Sequence, residues 1–439
     1  MDCDLLITNG LLKTPNNPNP SPDQPGFVAV LGGRIIEIAP MTELPDEVRS
    51  ARVIDAEGGL VMPGLVNCHN HAAMTLFRGL ADDLPLMSWL QEHIFPAEAK
   101  FVDPEMVYWC VKLAAAEMII SGTTTVADGY FYEDEAAQAF KDAGIRAIAA
   151  QGVIDFPAPG VPDPADNINH AARFIEKWRG DNLITPAIFC HSPYTCSAET
   201  IRGAKELTRQ EDCLFFIHVS ETESEVAESL KRHGISPIRH LEQLGVLDKK
   251  TVLVHCVWLD DEDIRIVKET GAGVVSCPES NMKLAAGVAP QDSFIEASIP
   301  VGLGTDSCAS NNNLDMFREM TVAAKLAKVH RLNPTLLPAR QVVKMATSGG
   351  AAVLGLQGEI GELTVGSLAD IVIIDLRKPH LNPMYEADSL LAYAASGSDV
   401  RASIIGGRLV MDDYRLKTID LPEVVGKVNE MARQVRAGT

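Results

Sequence analysis

The stretch VMPGLVNCHNHAAM, residues 61–74, closes an apolar run with two histidines, His69 and His71, that stand one residue apart. Side chains at positions i and i+2 of a strand point to the same face. If Leu65 to Asn67 finish a strand, both imidazoles leave its end in one direction. The alternative interpretation is that the two histidines fall near each other in a loop by chance, so the pair needs support from the rest of the chain.

Strands and helices alternate from this stretch onwards. The predicted strands are, in order, LVNCHNH, TTTVADG, IRAIAAQGVI, ITPAIFCHSPYT, LFFIHVSET, TVLVHCVW, GVVSCPES and PVGLGTDSCAS. Asp103 and Pro104 mark the cap and the first turn of the helix after the first strand. Eight strands separated by helices predict an α/β fold of the (β/α)₈ TIM-like barrel type, with a doubly wound sheet as the alternative.

The two ends of the chain differ from its middle. Residues 4–55 and 367–412 read as short strands with glycine turns, and the first of these regions shows no helical pattern. We therefore predict a small β-sandwich assembled from both chain ends, residues 1–61 and 367–439, the latter adding a C-terminal helix. The barrel is predicted to span residues 62–366.

Composition excludes several classes of function. A net charge of −21 argues against nucleic-acid binding, which needs clustered Lys and Arg. No run reaches the ~18 apolar residues that a membrane helix needs, and the first ten residues do not resemble a signal peptide. The nine cysteines never form a Cys-x-x-Cys pair, so we expect reduced, mostly buried thiols in a cytoplasmic protein without a membrane partner.

In a barrel of this type, chemistry is located at the carboxyl ends of the strands. Five of the eleven histidines fall at such ends, together with two carboxylates. Any one of them alone fits a structural role equally well, but their joint placement favours a site. The set is His69 and His71 on strand one, His191 on strand four, His218 with Glu221 on strand five, His255 on strand six and Asp306 on strand eight.

These residue types belong together chemically. Neutral imidazoles and a carboxylate suit Zn²⁺ or a similar divalent ion. Three histidines and one carboxylate leave room for a water, whose pKa the metal lowers from ~15.7 towards ~7. Glu221 lies three residues beyond His218, a suitable position for a proton shuttle that is not itself a ligand. The predicted metal ligands are His69, His71, His218 and Asp306.

Four motifs resemble those of the amidohydrolase superfamily, and more closely those of its 5-methylthioadenosine/S-adenosylhomocysteine deaminases: PGLVNCHNH, HVSET, SCPESNMKLA and GLGTDSCASNNNLDMF. The likeness covers nearly the whole chain. Two-metal members of the superfamily carry a bridging lysine at the end of strand four, where this chain has His191. The resemblance therefore implies one divalent metal per chain, with Zn²⁺ preferred, although Fe²⁺ or Mn²⁺ suits the same ligands.

The resemblance implies a hydrolytic deaminase of 6-aminopurine nucleosides that acts on 5′-methylthioadenosine or adenosine. Glu221 is expected to protonate N1 of the purine and Asp306 to take a proton from the attacking water, while ammonia leaves C6. His255 is expected to orient that water or to polarise the bond it attacks. The resemblance also implies a homo-oligomer, dimer or tetramer.

Substrate-binding roles rest on the same resemblance. Glu98 would hold the ribose hydroxyls and His191 would contact the purine, although the helical pattern alone favours an exposed carboxylate at Glu98. Trp89 and Phe95, in the insertion after strand one, either form an apolar wall over the nucleoside or only pack the insertion against the barrel.

The segment after strand three bears on the choice of nucleoside. Members that accept S-adenosylhomocysteine are thought to hold its carboxylate with arginines there, yet residues 147–172 contain no Arg or Lys. They contain acidic and apolar residues that we expect to disfavour a carboxylate: Asp155, Asp163, Asp166, Phe156 and Val161. Two alternatives stay open, namely hydrolysis of another heterocycle such as guanine, cytosine or a triazine, and a catalytically silent metal-binding barrel.

Overall fold

Two sheets organise the chain, and the structure, a computed structural model, describes residues 1–438. The strands are β1 (Asp2–Leu12), β2 (Gly26–Leu31), β3 (Arg34–Pro40), β4 (Arg49–Asp55), β5 (Leu60–Pro63), β6 (Leu65–Asn70), β7 (Thr123–Tyr130), β8 (Arg146–Val153), β9 (Ile184–Cys190), β10 (Phe215–Val219), β11 (Thr251–His255), β12 (Gly273–Ser276), β13 (Val301–Leu303), β14 (Ile371–Ile374), β15 (Val400–Ile405), β16 (Arg408–Asp412) and β17 (Arg415–Leu416). The α-helices are α1 (Leu86–Ser88), α2 (Phe95–Phe101), α3 (Pro104–Ile120), α4 (Glu133–Ala143), α5 (Asn167–Trp178), α6 (Ala198–Gln210), α7 (Glu223–His233), α8 (Pro237–Gln243), α9 (Asp261–Thr270), α10 (Pro278–Lys283), α11 (Gln291–Glu296), α12 (Met316–Arg331), α13 (Ala339–Met345), α14 (Ser348–Val353), α15 (Ala387–Tyr393) and α16 (Leu421–Gly438).

Strands β6 to β13 form an eight-stranded parallel barrel in which every hydrogen-bonded neighbour is also the neighbour in sequence. That order confirms the (β/α)₈ prediction, because a doubly wound sheet reverses its strand order at a switch point. The barrel strands are almost continuously buried, as parallel strands covered on both faces must be. The inward-facing apolar side chains form one core, which includes Val66, Ile148, Phe189, Phe216 and Val254.

The seam between β13 and β6 joins the last strand of the barrel to the first. The backbone amide of Asp306 donates to the carbonyl of His69 at 3.0 Å, and the side-chain Nδ2 of Asn67 donates to Thr305 Oγ1 at 2.7 Å. Gly304 permits this approach, because a Cβ there would lie 2.8 Å from the Cβ of His69. The seam therefore places the carboxylate of strand eight directly beside the histidines of strand one.

The chain ends form a second, mixed sheet of nine strands in the order β17-β16-β15-β14-β5-β1-β2-β3, with β4 also paired to β1. Strand β1 belongs to both halves, because its first part pairs with β2 and β4 and its last residues pair with β5. The two halves share one apolar core that includes Ile7, Val28, Ile54, Ile371 and Ile404. This additional sheet domain from both termini confirms the predicted fold class.

The helix α3 begins as the sequence predicts, because Asp103 Oδ1 accepts a hydrogen bond from the amide of Met106 at 2.8 Å and Pro104 occupies the first helical position. Between β6 and α3, an insertion forms α1, a π-helical turn (Trp89–Ile94) and α2. Within residues 1–438, no helix combines the length and the apolar character that crossing a membrane requires.

Candidate active site

Side chains from four strand ends of the barrel converge on one point. His69 Nε2 lies 3.3 Å from His218 Nε2 and 3.3 Å from Asp306 Oδ1, and His71 Nε2 lies 3.5 Å from the same carboxylate oxygen. His255 joins His69 and His218 in a second cluster whose ligand atoms all lie within 4.8 Å of one another. All the residues predicted as metal ligands are therefore brought together in one place.

Hydrogen bonds on the far side of each ring orient the imidazoles. Nδ1 of His71 lies 2.5 Å from the carbonyl oxygen of Gly129. Nδ1 of His218 lies 2.8 Å from the carbonyl oxygen of His191. A carbonyl only accepts, so each Nδ1 carries the proton and each Nε2 lone pair faces the centre. Lone pairs that converge this closely without a proton between them suit a divalent cation, so the donor set fits a metal ion.

Burial keeps these rings neutral, which is the form that binds metal. Burial lowers the pKa of His69 to about 4, although the hydrogen bond to Asp306 opposes this shift. Burial also holds the pKa of His218 well below its ordinary range, and the neighbouring imidazoles act in the same direction. His71 and His255 shift in the same direction, also chiefly because they are buried. Protons therefore do not compete with a cation for these four rings near neutral pH.

Asp306 is held as a carboxylate by its surroundings. Its Oδ2 accepts from Ser280 Oγ at 2.6 Å and Ser310 Oγ at 3.0 Å, and its Oδ1 accepts from the Ser307 amide at 2.7 Å. Burial acts to raise the pKa of Asp306, but its interactions with His69 and the other nearby imidazoles outweigh it and hold that pKa well below its usual range. The backbone is left-handed here, with φ of 57°, as is common where a functional side chain is held in position.

Glu221 is a second carboxyl with the opposite character. It is 6% exposed, and its Oε2 lies 3.8 Å from His255 Nε2. Burial first, and the negative charge of Asp306 second, raise the pKa of Glu221 to about 8. The site thus holds a proton-bearing acid and an ionised carboxylate side by side, the arrangement that acid–base catalysis uses.

A cavity of about 770 Å³, open to solvent, leads down to this cluster. All the substrate-binding residues predicted from the sequence line it, namely Trp89, Glu98, His191, Glu221 and Asp306. Phe95 lines it as well. Its remaining walls are largely apolar and include Met74, Leu86, Ile94, Val153 and Leu284, and within the described chain no Lys or Arg lines it. The insertion after β6 supplies one wall, so Trp89 and Phe95 both pack the insertion and face the cavity.

Glu98 is 6% exposed rather than on the helix surface. The Tyr130 hydroxyl donates to its Oε1 at 2.6 Å, and burial raises the pKa of Glu98 to about 7 although that bond opposes the shift. His191 has its Nδ1 2.8 Å from Thr195 Oγ1, and burial lowers its pKa to about 3. Both side chains thus present hydrogen-bonding groups within a desolvated cavity.

The model of the amidohydrolase family matches residues 60–410. The chain belongs to the amidohydrolase family. This confirms the resemblance seen in the sequence motifs, and it makes the protein a hydrolase.

Relatives of this amidohydrolase are similar over almost their full length. The 5-methylthioadenosine/S-adenosylhomocysteine deaminase of Syntrophobacter fumaroxidans is 48% identical over 99% of this chain and 98% of its own. The 5′-deoxyadenosine deaminase of Methanosarcina mazei is 43% identical over 99% of both chains. A solved structure, an adenosine deaminase from Xanthomonas campestris with bound zinc, superposes with a TM-score of 0.95 at 37% identity over 99% of both chains.

Several supporting residues of the amidohydrolase site carried no assigned role in the sequence analysis. Asn281 Oδ1 lies 3.0 Å from His255 Nδ1, and Ser280, its neighbour on α10, binds Asp306. Both residues lie in the motif SCPESNMKLA, which the sequence analysis did single out. The spacing of that motif does not show which side chains its residues contact. Tyr130, the partner of Glu98, is the last residue of β7 and was not singled out from the sequence either.

The three acidic residues that were predicted to repel a substrate carboxylate lie outside the described lining of the cavity, so that prediction was wrong. Asp155 accepts from the Ser197 amide at 2.6 Å and from Thr200 Oγ1 at 2.7 Å, so it supports the start of α6. Asp163 caps the turn that follows it, and Asp166 is exposed. None of these three is among the residues that line the cavity in the described chain, because short acidic side chains in a loop satisfy nearby amides first.

The apolar residues of the same segment do not line the cavity either: among the described residues, neither Phe156 nor Val161 belongs to its lining. The ring of Phe156 packs against Phe95 with centroids 5.4 Å apart, behind the cavity wall. Arg146, which could have supplied a guanidinium for a substrate carboxylate, instead pairs with Asp370 at 2.8 Å, near the second sheet. Among residues 1–438, no Lys or Arg lines the cavity, so a substrate carboxylate would meet no cationic side chain there.

Proposed function

We propose that this amidohydrolase is an adenosine-type nucleoside deaminase that replaces the 6-amino group of the purine with oxygen. Water adds to C6, the C6–N bond breaks, and ammonia leaves with a proton that the site returns to it. Nothing is oxidised or reduced. The observation that carries the proposal is the placement of two buried carboxyl groups, Glu221 and Asp306, beside a candidate His/Asp metal site at the base of an apolar cavity.

The two carboxyl groups have separate tasks in this proposal. Glu221, with its raised pKa, donates a proton to N1 and so makes C6 more electrophilic. Asp306 stays ionised and accepts a proton from the attacking water, while its serine hydrogen bonds keep it in place. His255, whose Nε2 lies 3.8 Å from Glu221 Oε2 and whose Nδ1 lies 3.0 Å from Asn281 Oδ1, would orient the attacking water.

We further propose that one divalent ion, preferably Zn²⁺, is held per chain. Its ligands would be His69, His71, His218 and Asp306. When bound, such an ion lowers the pKa of a coordinated water and polarises it for attack. The zinc in the structure of the X. campestris relative and the fit of the donor set support this assignment.

The cavity favours a nucleoside with a small, uncharged 5′ group. Glu98, held by Tyr130, would accept from the ribose hydroxyls, and His191 would contact the base. A carboxylate at the 5′ end would lose its hydration in an apolar cavity without a guanidinium or ammonium to compensate. We therefore expect 5′-methylthioadenosine, 5′-deoxyadenosine and adenosine to be better substrates than S-adenosylhomocysteine.

The proposal extends to assembly and location. The homo-oligomer, dimer or tetramer, rests on the family resemblance alone, and light scattering at several concentrations would measure it. A cytoplasmic location is supported by the cysteines, because all nine are unpaired and buried in the structure.

The test is ammonia release by the metal-loaded enzyme from a panel of compounds. The panel contains the four nucleosides above together with guanine, cytosine and a triazine. The account predicts the highest kcat/KM for the nucleosides with a small 5′ group. Efficient turnover of guanine, cytosine or the triazine, without turnover of any nucleoside, would replace the proposed function with that of another heterocycle hydrolase.

A further inference from the structure

The turn that carries Glu221 is held by a second glutamate. Glu225 Oε1 accepts from the Ser220 amide at 2.8 Å, and its Oε2 accepts from the Glu221 amide at 2.8 Å. Each oxygen of one carboxylate thus takes one of two consecutive backbone N–H groups. Such a paired, charge-assisted arrangement fixes the direction of the peptide as well as its position.

This turn has an unusual backbone. Ser220 is left-handed, with φ of 52°, a conformation that a residue with a Cβ adopts only where its surroundings impose it. The conformation turns the chain so that Glu221 leaves strand β10 towards the cavity, whereas helix α7 begins two residues later. The two hydrogen bonds that Glu225 accepts come from the peptide N–H groups on either side of Ser220.

The same turn is tied to the segment that follows His255. The Ser220 carbonyl accepts from the Val257 amide at 3.0 Å and from the Trp258 amide at 2.9 Å. His255 itself is left-handed, with φ of 74°. A continuous set of hydrogen bonds therefore runs from the carboxylate of Glu225 through the turn that carries Glu221 to the segment after His255.

Helix capping does not account for Glu225. Thr222 is the N-cap of α7, and its Oγ1 accepts from the Glu225 amide at 3.2 Å. A glutamate at this position of a helix ordinarily reaches back to the amide of the cap residue. Here the Glu225 side chain reaches past Thr222 to the two preceding amides, which belong to the catalytic turn.

We propose that Glu225 is a positioning residue that holds the Ser220–Glu221 turn and so aims the Glu221 carboxyl at the substrate. The inference rests on the proposed deamination, in which Glu221 moves the protons. Glutamine at this position keeps the shape but offers one acceptor and an NH₂ group, which cannot accept from the second amide. Alanine removes both acceptors.

The test compares Glu225→Gln and Glu225→Ala with two control variants of the same helix. Thr222→Ala removes the N-cap hydrogen bond of the helix but keeps both Glu225 acceptors for the turn, and Glu228→Gln removes an exposed charge. We expect Glu225→Ala to lower kcat by about 10²-fold, with Glu225→Gln between it and the wild type, because small displacements of a catalytic group are that costly. KM and the metal content should change by less than about 3-fold, and both controls should keep wild-type kcat.

A double mutant separates positioning from general stability. If Glu225 acts through Glu221, Glu225→Ala should slow a Glu221→Gln enzyme by less than about 2-fold, whereas independent effects would multiply. Wild-type kcat in both Glu225 variants, a loss that Thr222→Ala reproduces, or multiplicative losses in the double mutant would each overturn the inference. The comparison uses whichever panel compound the wild type turns over, so failure of nucleosides as substrates counts against the proposed function and not against this role.

Discussion

Replacing Glu221 with glutamine is expected to slow the reaction and to stabilise the metal-free fold. The substitution keeps the size of the side chain but removes its exchangeable proton. A general acid contributes typically 10²–10⁴-fold, so we expect a loss of kcat of at least about 10²-fold with metal binding retained. Loss of the metal in this variant would instead make Glu221 a ligand.

The gain in stability follows from the raised pKa. Burial raises the pKa of Glu221 from its ordinary 4.5 to about 8, so at pH 7 the carboxyl is protonated in the folded chain and ionised in the unfolded one. Stability contributed by such a group is complete below pH 4.5 and is lost progressively as the pH rises to about 8. Neutral pH lies two and a half pH units above the ordinary value, and each unit is worth about 1.4 kcal/mol, so burial of Glu221 costs about 3 kcal/mol at pH 7.

Glutamine does not titrate and escapes this cost. For a chain of 439 residues the unfolding entropy is about 0.9 kcal/mol/K, which converts 3 kcal/mol into a rise in Tm of about 3 °C. The assay is thermal unfolding of chelator-treated protein at pH 7 and pH 5, because a bound cation would itself lower the pKa of the neighbouring carboxyl. The gap between variant and wild type should shrink to below about 1 °C at pH 5. Glu228→Gln, at an exposed position, is the matched control.

Two results would refute this reasoning. An equal Tm for Glu221→Gln and wild type at pH 7 would mean that Glu221 is not buried as a neutral acid. Turnover within about 5-fold of the wild type would mean that it does not move protons.

Three further predictions concern the same site. His218→Ala should release the metal and abolish turnover, measured by metal analysis of the purified protein, and retention of a full equivalent of metal would remove His218 from the ligand set. Asn281→Ala should remove the hydrogen bond that orients His255 and lower kcat by about 10-fold while metal is kept, because loss of such an orienting partner costs about 10–100-fold in activity. An unchanged kcat would show that other contacts set the orientation of His255. The kcat/KM should fall on the alkaline side as Glu221 loses its proton, at or below about pH 8 because a bound cation favours the ionised form; a pH profile that stays flat to pH 9 would contradict the acid role.

Much of the fold could be predicted because strands and helices alternate along the middle of the chain. Buried parallel strands read as short apolar runs, and each ends at a polar residue where the chain reaches the carboxyl face of the barrel. That geometry also points to the candidate metal ligands: His69, His71, His218 and Asp306 are distant in sequence, but strand ends converge in any closed barrel. These four candidate ligands could therefore be predicted from their positions at strand ends, without any distance between their side chains.

The supporting residues could not be predicted in the same way. Asn281 and Glu225 act through loops and short helices, whose paths depend on tertiary contacts and not on a repeating pattern. Asp155 was misjudged because its loop composition says nothing about which amide it will bind. Glu98 illustrates the opposite case, since its helical position favours the surface, whereas the insertion buries it beside Tyr130.

The most direct test of the central claim is a product balance on 5′-methylthioadenosine. The metal-loaded enzyme is incubated with the nucleoside, and ammonia, the remaining substrate and the purine products are quantified together. The account predicts one ammonia for each nucleoside consumed, recovered as the inosine analogue with the glycosidic bond intact. Release of free adenine, or consumption of the nucleoside without ammonia, would contradict it.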